Sequence, residues 1–252
     1  MIDTHSHLFE DEFKDDLLEC IERCKANNVN QILLVGFSFE TNDKAQALAK
    51  EYDIFYPTAG LHPSEAASTY LDDFNKLVDF INNNKIYAIG ECGLDYHWTK
   101  ENIEYQKALF KLQCELAIKL DLPIIVHSRD AQQDTFDIIK GYNGKLKGVM
   151  HCYSGSLELA KEYVKLGFYI SLGGPVTFKN ANEPKRVAKE IDINRLLIET
   201  DSPFLAPHPY RGKRNESSYI KLVLEEIANI RGISVEELDK ITTENAKRLF
   251  KI

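Results

Sequence analysis

Seven histidines are the part of this 252-residue sequence with the clearest chemical use. His5 and His7 stand two apart in the opening segment IDTHSHL, which reads as a strand. A period of two turns both imidazoles to one side, where they can grip one ion. His127 closes the apolar run PIIVH, and His151 closes GVMH. Two carboxylates take the same kind of position, Glu91 at the end of AIGE and Asp201 just after LLIET. Neutral imidazoles and carboxylates suit zinc and its first-row neighbours. Six such ligands exceed what one cation uses while staying open to substrate, whereas two cations can share them. A carboxylate such as Glu91 can bridge ions about 3.5–4 Å apart, the separation of two-metal hydrolytic centres. A single histidine at a strand end is usually a hydrogen-bonded structural residue. The joint pattern is different, because burying so many ionisable groups without strong partners is costly. Cations resolve that cost.

For these six residues to act together, the chain must deliver them to one place. Short apolar runs rich in β-branched residues alternate with longer stretches of helical period. The strand-like runs are 1–5, 31–37, 54–61, 86–92, 123–127, 147–152, 168–172 and 195–200. Between them, Phe13, Leu17, Cys20 and Cys24 form one helical stripe, Leu109, Leu112, Leu116 and Leu120 another, and Ile220, Val223, Ile227 and Ile230 a third. Pro184 suits the first turn of a helix ending near residue 192. Ser234 reads as the N-cap of a last helix, Val235–Phe250, with Glu237 completing a capping box. Doubly wound sheets show the same alternation, but eight units in a chain of this size suggest a (β/α)8 TIM barrel with an additional C-terminal helix, residues 1–252 forming one domain. In a barrel, all six ligand positions converge on the mouth at the strand C-termini.

Composition narrows the classes of function. With 44% hydrophobic and 28% charged residues the chain has ample material for a core and is not largely disordered. A balance of 31 Lys+Arg against 39 Asp+Glu gives −8, which argues against a broad basic surface wrapped by DNA and leaves room for a local basic patch. No apolar run approaches the roughly 18 residues of a spanning helix, so no membrane partner is expected. The opening MIDTHSHLFEDEF does not read as a basic, then apolar, stretch, so no signal peptide is expected. Five cysteines without paired spacing suit reduced thiols, and a cytoplasmic location is expected.

Read in order, DTHSHL (3–8), GLHP (60–63), GECGLDYHW (90–98), HSRDA (127–131), HCYSG (151–155), ETDSP (199–203) and RGKRNE (211–216) extend over nearly the whole chain. Together they resemble the TatD family of metal-dependent hydrolases, within the amidohydrolase-like barrel group. The resemblance implies a TIM barrel and divalent-metal-dependent hydrolysis of nucleic acid, notably deoxyribonuclease action that includes trimming of 3′ ends. Some relatives are linked instead to deacylation of mischarged tRNA. Matching motif positions would place His5, His7, Glu91 and Asp201 on one cation, with Glu91, His127 and His151 on a second. Two divalent cations (Mg, Mn or Zn) are the implied cofactors, and DNA, with RNA or tRNA as alternatives, the implied partner; no obligate protein partner is apparent. Two positions depart from the pattern. Tyr153 stands where Phe is more usual, and Ser217 where Pro is common, which should loosen that loop.

Hydrolysis of a phosphodiester at neutral pH needs charge neutralisation and a better nucleophile than free water, and a divalent cation supplies both. Glu91 is assigned as the bridge, and Asp201 as a ligand that also accepts the proton of the attacking water. Asp3 shares the parity of His5 and His7; it either orients an imidazole or is a buried structural residue. His62 either contacts the scissile phosphate, protonates the leaving oxygen or bonds a loop. Arg129 is aimed at the site by strand parity, and its planar fork suits phosphate. Arg211, Lys213 and Arg214 form a basic loop after the last strand, where barrels often bind phosphate. Tyr96, His97 and Trp98 either stack on an unpaired base or pack the rim. Cys92 and Cys152 should point away from the site into the layer between barrel and helices. The competing readings are an ester or amide hydrolase such as a D-aminoacyl-tRNA deacylase, and a non-catalytic metal or nucleic-acid binding module.

Overall fold

Runs of apolar and β-branched residues become parallel strands: Ile2–Ser6 (β1), Gln31–Val35 (β2), Phe55–Thr58 (β3), Ile89–Asp95 (β4), Ile124–Arg129 (β5), Gly148–Met150 (β6), Tyr169–Leu172 (β7) and Leu196–Ile198 (β8). The computed structural model describes residues 1–98 and 100–252. Strands β1 to β3 form one ladder and β4 to β8 a second, each in chain order. Two seams join them into a ring. At one, the His7 N–H donates to Ser202 O (2.8 Å) and the Asp201 N–H to His5 O (2.9 Å). At the other, the Gly90 N–H donates to Ala59 O (2.9 Å). The fold is a (β/α)8 TIM barrel with a C-terminal helix.

The helices are Leu17–Ala26 (α1), Phe39–Glu51 (α2), Tyr70–Asn83 (α3), Ile103–Leu120 (α4), Gln132–Gly141 (α5), Leu157–Lys165 (α6), Asn182–Glu190 (α7), Ile220–Arg231 (α8) and Val235–Phe250 (α9). Strand alternation divides the core in two. Leu33, Ile125, Val149, Tyr169 and Leu197 fill the barrel, while Ile32, Leu34, Ile124 and Val126 face the helices. A strand buried on both faces needs this unbroken apolar composition. Ala246, Leu249 and Phe250 of α9 join Ile2 in the inner group and close the end at which β1 begins. No helix among the described residues is long and apolar enough to cross a membrane.

Tertiary packing shifts several expected boundaries. Phe13 lies in a separate 3-10 turn, Asp11–Phe13, and α1 begins only at Leu17. Strand β4 starts at Ile89 rather than 86, and β6 ends at Met150, before His151 and Cys152. On α4, Leu120 turns outward while Gln106 and Gln113 are buried. Each glutamine serves a site segment. Gln113 takes the Leu61 N–H and donates to Leu61 O, both at 2.9 Å. Gln106 does the same for Asp95, both at 2.9 Å. Ser234 caps α9 by accepting the Glu237 N–H (3.1 Å), but the Glu237 side chain does not return the bond.

Candidate metal centre

The register of β1 against β2 shifts between Asp3 and Ser6. Such an irregularity re-aims side chains locally. Beyond it His5 and His7, both buried, bring their Nε2 atoms to 3.2 Å. Asp3, at the near edge of that shift, turns to other partners. Its carboxylate accepts the N–H groups of His5 (3.3 Å) and Thr200 (3.0 Å) and the Thr200 hydroxyl (2.6 Å). Asp3 therefore ties β1 to the segment after β8 and orients no imidazole, and burial pushes its carboxyl up to about 7. A second register shift, between Ile89 and Cys92, presents Glu91. Gly90 has φ +134°, and a Cβ there would lie 2.6 Å from Ile125 O, so glycine is required. Asp201 and Cys152 also take left-handed backbone angles (φ 57° and 43°) where the chain turns out of its strands.

Four candidate donors stand close together here, with five of their mutual separations at 3.2–3.8 Å. His5 Nε2 lies 3.3 Å from Glu91 Oε2 and 3.7 Å from Asp201 Oδ1, and His7 Nε2 lies 3.8 and 3.5 Å from the same oxygens. A tetrahedral ion with ligands at roughly 2.0–2.1 Å has donor–donor edges of about 3.3–3.4 Å. The observed separations of 3.2–3.8 Å fit one cation. A second set of donors uses the other oxygen of Glu91. His127 Nδ1 and His151 Nε2 lie 3.0 and 3.1 Å from Oε1 and 3.4 Å from each other. Three such donors fit a cation with a position left open. Glu91 therefore faces each set with a different oxygen, the geometry of a bridge.

Carboxylates and a carbonyl face the other ring nitrogens of His7, His127 and His151. His7 Nδ1 meets Val35 O at 2.8 Å, His127 Nε2 meets Asp95 Oδ2 at 3.0 Å, and His151 Nδ1 lies 3.4 Å from Glu199 Oε1. Asp95 and Glu199 were missed by the sequence reading. A rule that each ligating imidazole needs an acceptor on its other nitrogen, applied to the acids of GLD and ETD, would have found them. The electrostatics demand positive charge. Burial opposes ionisation of Glu91, yet His151, His127 and His5 outweigh it and hold its carboxyl well below the usual range. Asp201 is likewise lowered against its burial, by His7 and His151. Burial disfavours charge on His7, His127 and His151 too, but their carboxylate partners raise all three.

The family model described as TatD related DNase matches residues 2–251. The chain belongs to the TatD family. Over 253 residues it is 49% identical to the uncharacterized metal-dependent hydrolase YabD of Bacillus subtilis, covering 100% of this chain and 99% of that one. A metal-dependent hydrolase of Methanocaldococcus jannaschii is 39% identical, with 99% and 96% covered. Among solved structures, the TatD homolog YjjV of Escherichia coli superposes with a TM-score of 0.91 at 28% identity, covering 100% and 98%.

Beyond the ligands, the TatD-family site opens into a cleft of about 780 Å³. His62 lines it, with Nε2 3.9 Å from Glu91 Oε1 and Nδ1 accepting the Ser64 N–H at 3.1 Å. Arg129 also lines it, its guanidinium 5.4 Å from the centre of the Trp98 ring, which is 75% exposed. Tyr96 and His97 turn elsewhere, to Asp134 (2.7 Å) and Asp130 (3.2 Å).

The basic loop divides. Arg214 does not line the cleft: it grips Asp16 at 2.6 and 2.7 Å and lies over the Phe13 ring, so its charge is paired in the structure. Arg211 lies over Phe178 and Lys213 is exposed, and neither lines the cleft. Cys92 is buried in the layer between barrel and helices, as its parity indicated. Cys152 instead lines the cleft, because alternation cannot be extended past the end of β6. Tyr153 satisfies its extra hydroxyl on Ser156 O (2.8 Å). Ser217 does not loosen its loop; it is fully buried and donates to the Ser6 hydroxyl at 3.3 Å.

Proposed function

We propose that this metal-dependent hydrolase is a deoxyribonuclease acting on DNA ends or single strands. The observation that carries the reading is Glu91 bridging two donor sets at the floor of a cleft whose wall holds Arg129 stacked on exposed Trp98. When bound, two divalent cations supply charge neutralisation at the phosphate and a more acidic water. His5, His7, Glu91 and Asp201 would hold one, and Glu91, His127 and His151 the other.

The chain's own groups divide the remaining work. Asp201 is ionised and takes the proton released as water attacks. The Nδ1 of His62 is an acceptor for the Ser64 N–H, so the neutral ring carries its hydrogen on Nε2. Burial lowers the His62 imidazole to about 4, which makes it a neutral hydrogen-bond donor to a substrate oxygen rather than an acid. Arg129 supplies a guanidinium for a neighbouring phosphate, and Trp98 an exposed face for an unpaired base.

A second reading, hydrolysis of an aminoacyl ester on tRNA, draws on the apolar cleft wall of Leu172, Pro175, Val176 and Leu205, which suits an amino-acid side chain. One experiment separates the two. Chelator-stripped protein, reloaded with Mg²⁺, Mn²⁺ or Zn²⁺, is assayed on labelled single-stranded DNA, duplex DNA and mischarged tRNA. Metal-restored cleavage of single-stranded DNA supports the nuclease. Turnover of tRNA alone transfers the site to the second reading, and activity untouched by chelation overturns both.

A further inference from the structure

Among the described residues, two buried nitrogens at the metal centre make no formal hydrogen bond: Nδ1 of His5, and Nδ1 of His151, which has Glu199 Oε1 3.4 Å away as a charged neighbour. The rings belong to different donor sets, yet they stack with centroids 3.9 Å apart and planes 16° from parallel. Both turn Nε2 to the bridging carboxylate, at 3.3 Å from Oε2 and 3.1 Å from Oε1 of Glu91. Glu199, 1% exposed, lies on their other side. A ring nitrogen from each histidine and a Glu199 oxygen fall within 4.8 Å of one another. Glu199 Oε1 is 3.4 Å from His151 Nδ1 and accepts the Cys152 N–H at 2.6 Å. Glu91 and Asp201 both face Nε2 of His5, which leaves its Nδ1 for another acceptor, and Glu199 is the carboxylate that groups with both rings.

We propose that Glu199 is a positioning residue shared by both donor sets. A neutral imidazole carries one hydrogen, and an acceptor on one nitrogen decides that the other presents its lone pair. One buried carboxylate beside two stacked rings fixes both tautomers at once, with hydrogen on Nδ1 and the lone pair on Nε2 of His5 and of His151. It also makes both Nε2 atoms more basic. The two cation sites are then set by a common group, and both weaken together when that group loses its charge. This rests on the metal-binding reading of the donor sets and is independent of the substrate.

The test uses no substrate. In Zn²⁺-loaded protein, long-range ¹H–¹⁵N correlation of the ring nitrogens should show hydrogen on Nδ1 for His5 and His151, and on Nε2 for His127, whose Nδ1 faces Glu91. Zn²⁺ attached through Nδ1 of His5 or His151 overturns the proposal even if no variant folds. Isothermal titration of apo Glu199→Gln with Zn²⁺ should show both affinities reduced by roughly 10–100-fold. The amide still offers an acceptor to the Cys152 N–H, so apo melting should change little. A loss confined to the His151 site, two unchanged affinities, or a third equivalent of Zn²⁺ in the wild type each overturns the shared role.

Discussion

Glu91 is a buried carboxylate that stays ionised because imidazoles from separate elements face it: His5 and His7 from β1 and beyond, His127 from β5, and His151 from the turn after β6. Glu91→Gln keeps the shape, removes the charge and replaces one ligand oxygen with an amide nitrogen. Turnover should fall by more than about 100-fold, beyond the usual effect of losing a supporting group, with an unchanged circular-dichroism spectrum. A near-normal rate would remove the bridging role. His62 offers a finer distinction. Losing one hydrogen bond to a charged oxygen costs roughly 1.5–3 kcal/mol, or roughly 10–100-fold in kcat/KM for His62→Ala. His62→Gln retains an N–H donor and should recover part of that loss. An imidazole acting as proton donor could not be replaced by an amide, so equal losses in the two variants would restore the acid role.

At the scale of elements, four of the six candidate ligands sit where the strand ladders are interrupted. His5, His7 and Asp201 flank the join between β1 and the segment after β8, and Glu91 follows the join between β3 and β4. Regular alternation returns a side chain to one face only at every second residue, and a register shift re-aims side chains locally. Asp3 holds the first join through Thr200. Asp3→Ala leaves buried N–H and hydroxyl groups unpaired and should cost about 1–3 kcal/mol, read as a lower midpoint in urea unfolding. A shift below about 0.5 kcal/mol would remove its structural role. The six candidate ligands and their strand-end spacing were legible from sequence because residue chemistry and apolar runs are local properties. Of the two readings of Asp3 the structural one holds, the other having carried parity across a register shift, and Cys152 was misdirected because parity was carried past a strand end. Both features depend on partner strands.

For the whole molecule, a charge of −8 sets the size of any grip on nucleic acid. With Arg214 bound to Asp16, the candidate phosphate contacts that remain are Arg129 in the cleft wall and Arg211 and Lys213 of the basic loop. Each phosphate contact on a single strand adds about −0.7 to the slope of log affinity against log salt. The nuclease reading therefore predicts a slope no steeper than about −2 for a short single-stranded oligonucleotide. Arg211→Gln with Lys213→Gln should bring it to roughly −0.7 if both contact phosphate. Fluorescence anisotropy across a salt series reads this directly. An unchanged slope would confine nucleic-acid contact to the cleft. Arg214→Ala should leave the slope as it is.

The sequence by itself determined the ligand chemistry, the strand–helix repeat and the TatD resemblance, because each is written in residue types at fixed spacing along the chain. Which oxygen of Glu91 faces which imidazoles, which acids stand behind the histidines, and which arginine is free for substrate were decided by the tertiary structure. Those properties depend on distances between residues far apart in the chain, such as His151 and His5, or Arg214 and Asp16. Spacing in sequence places a side chain on its own element; closure of the barrel decides what stands opposite it.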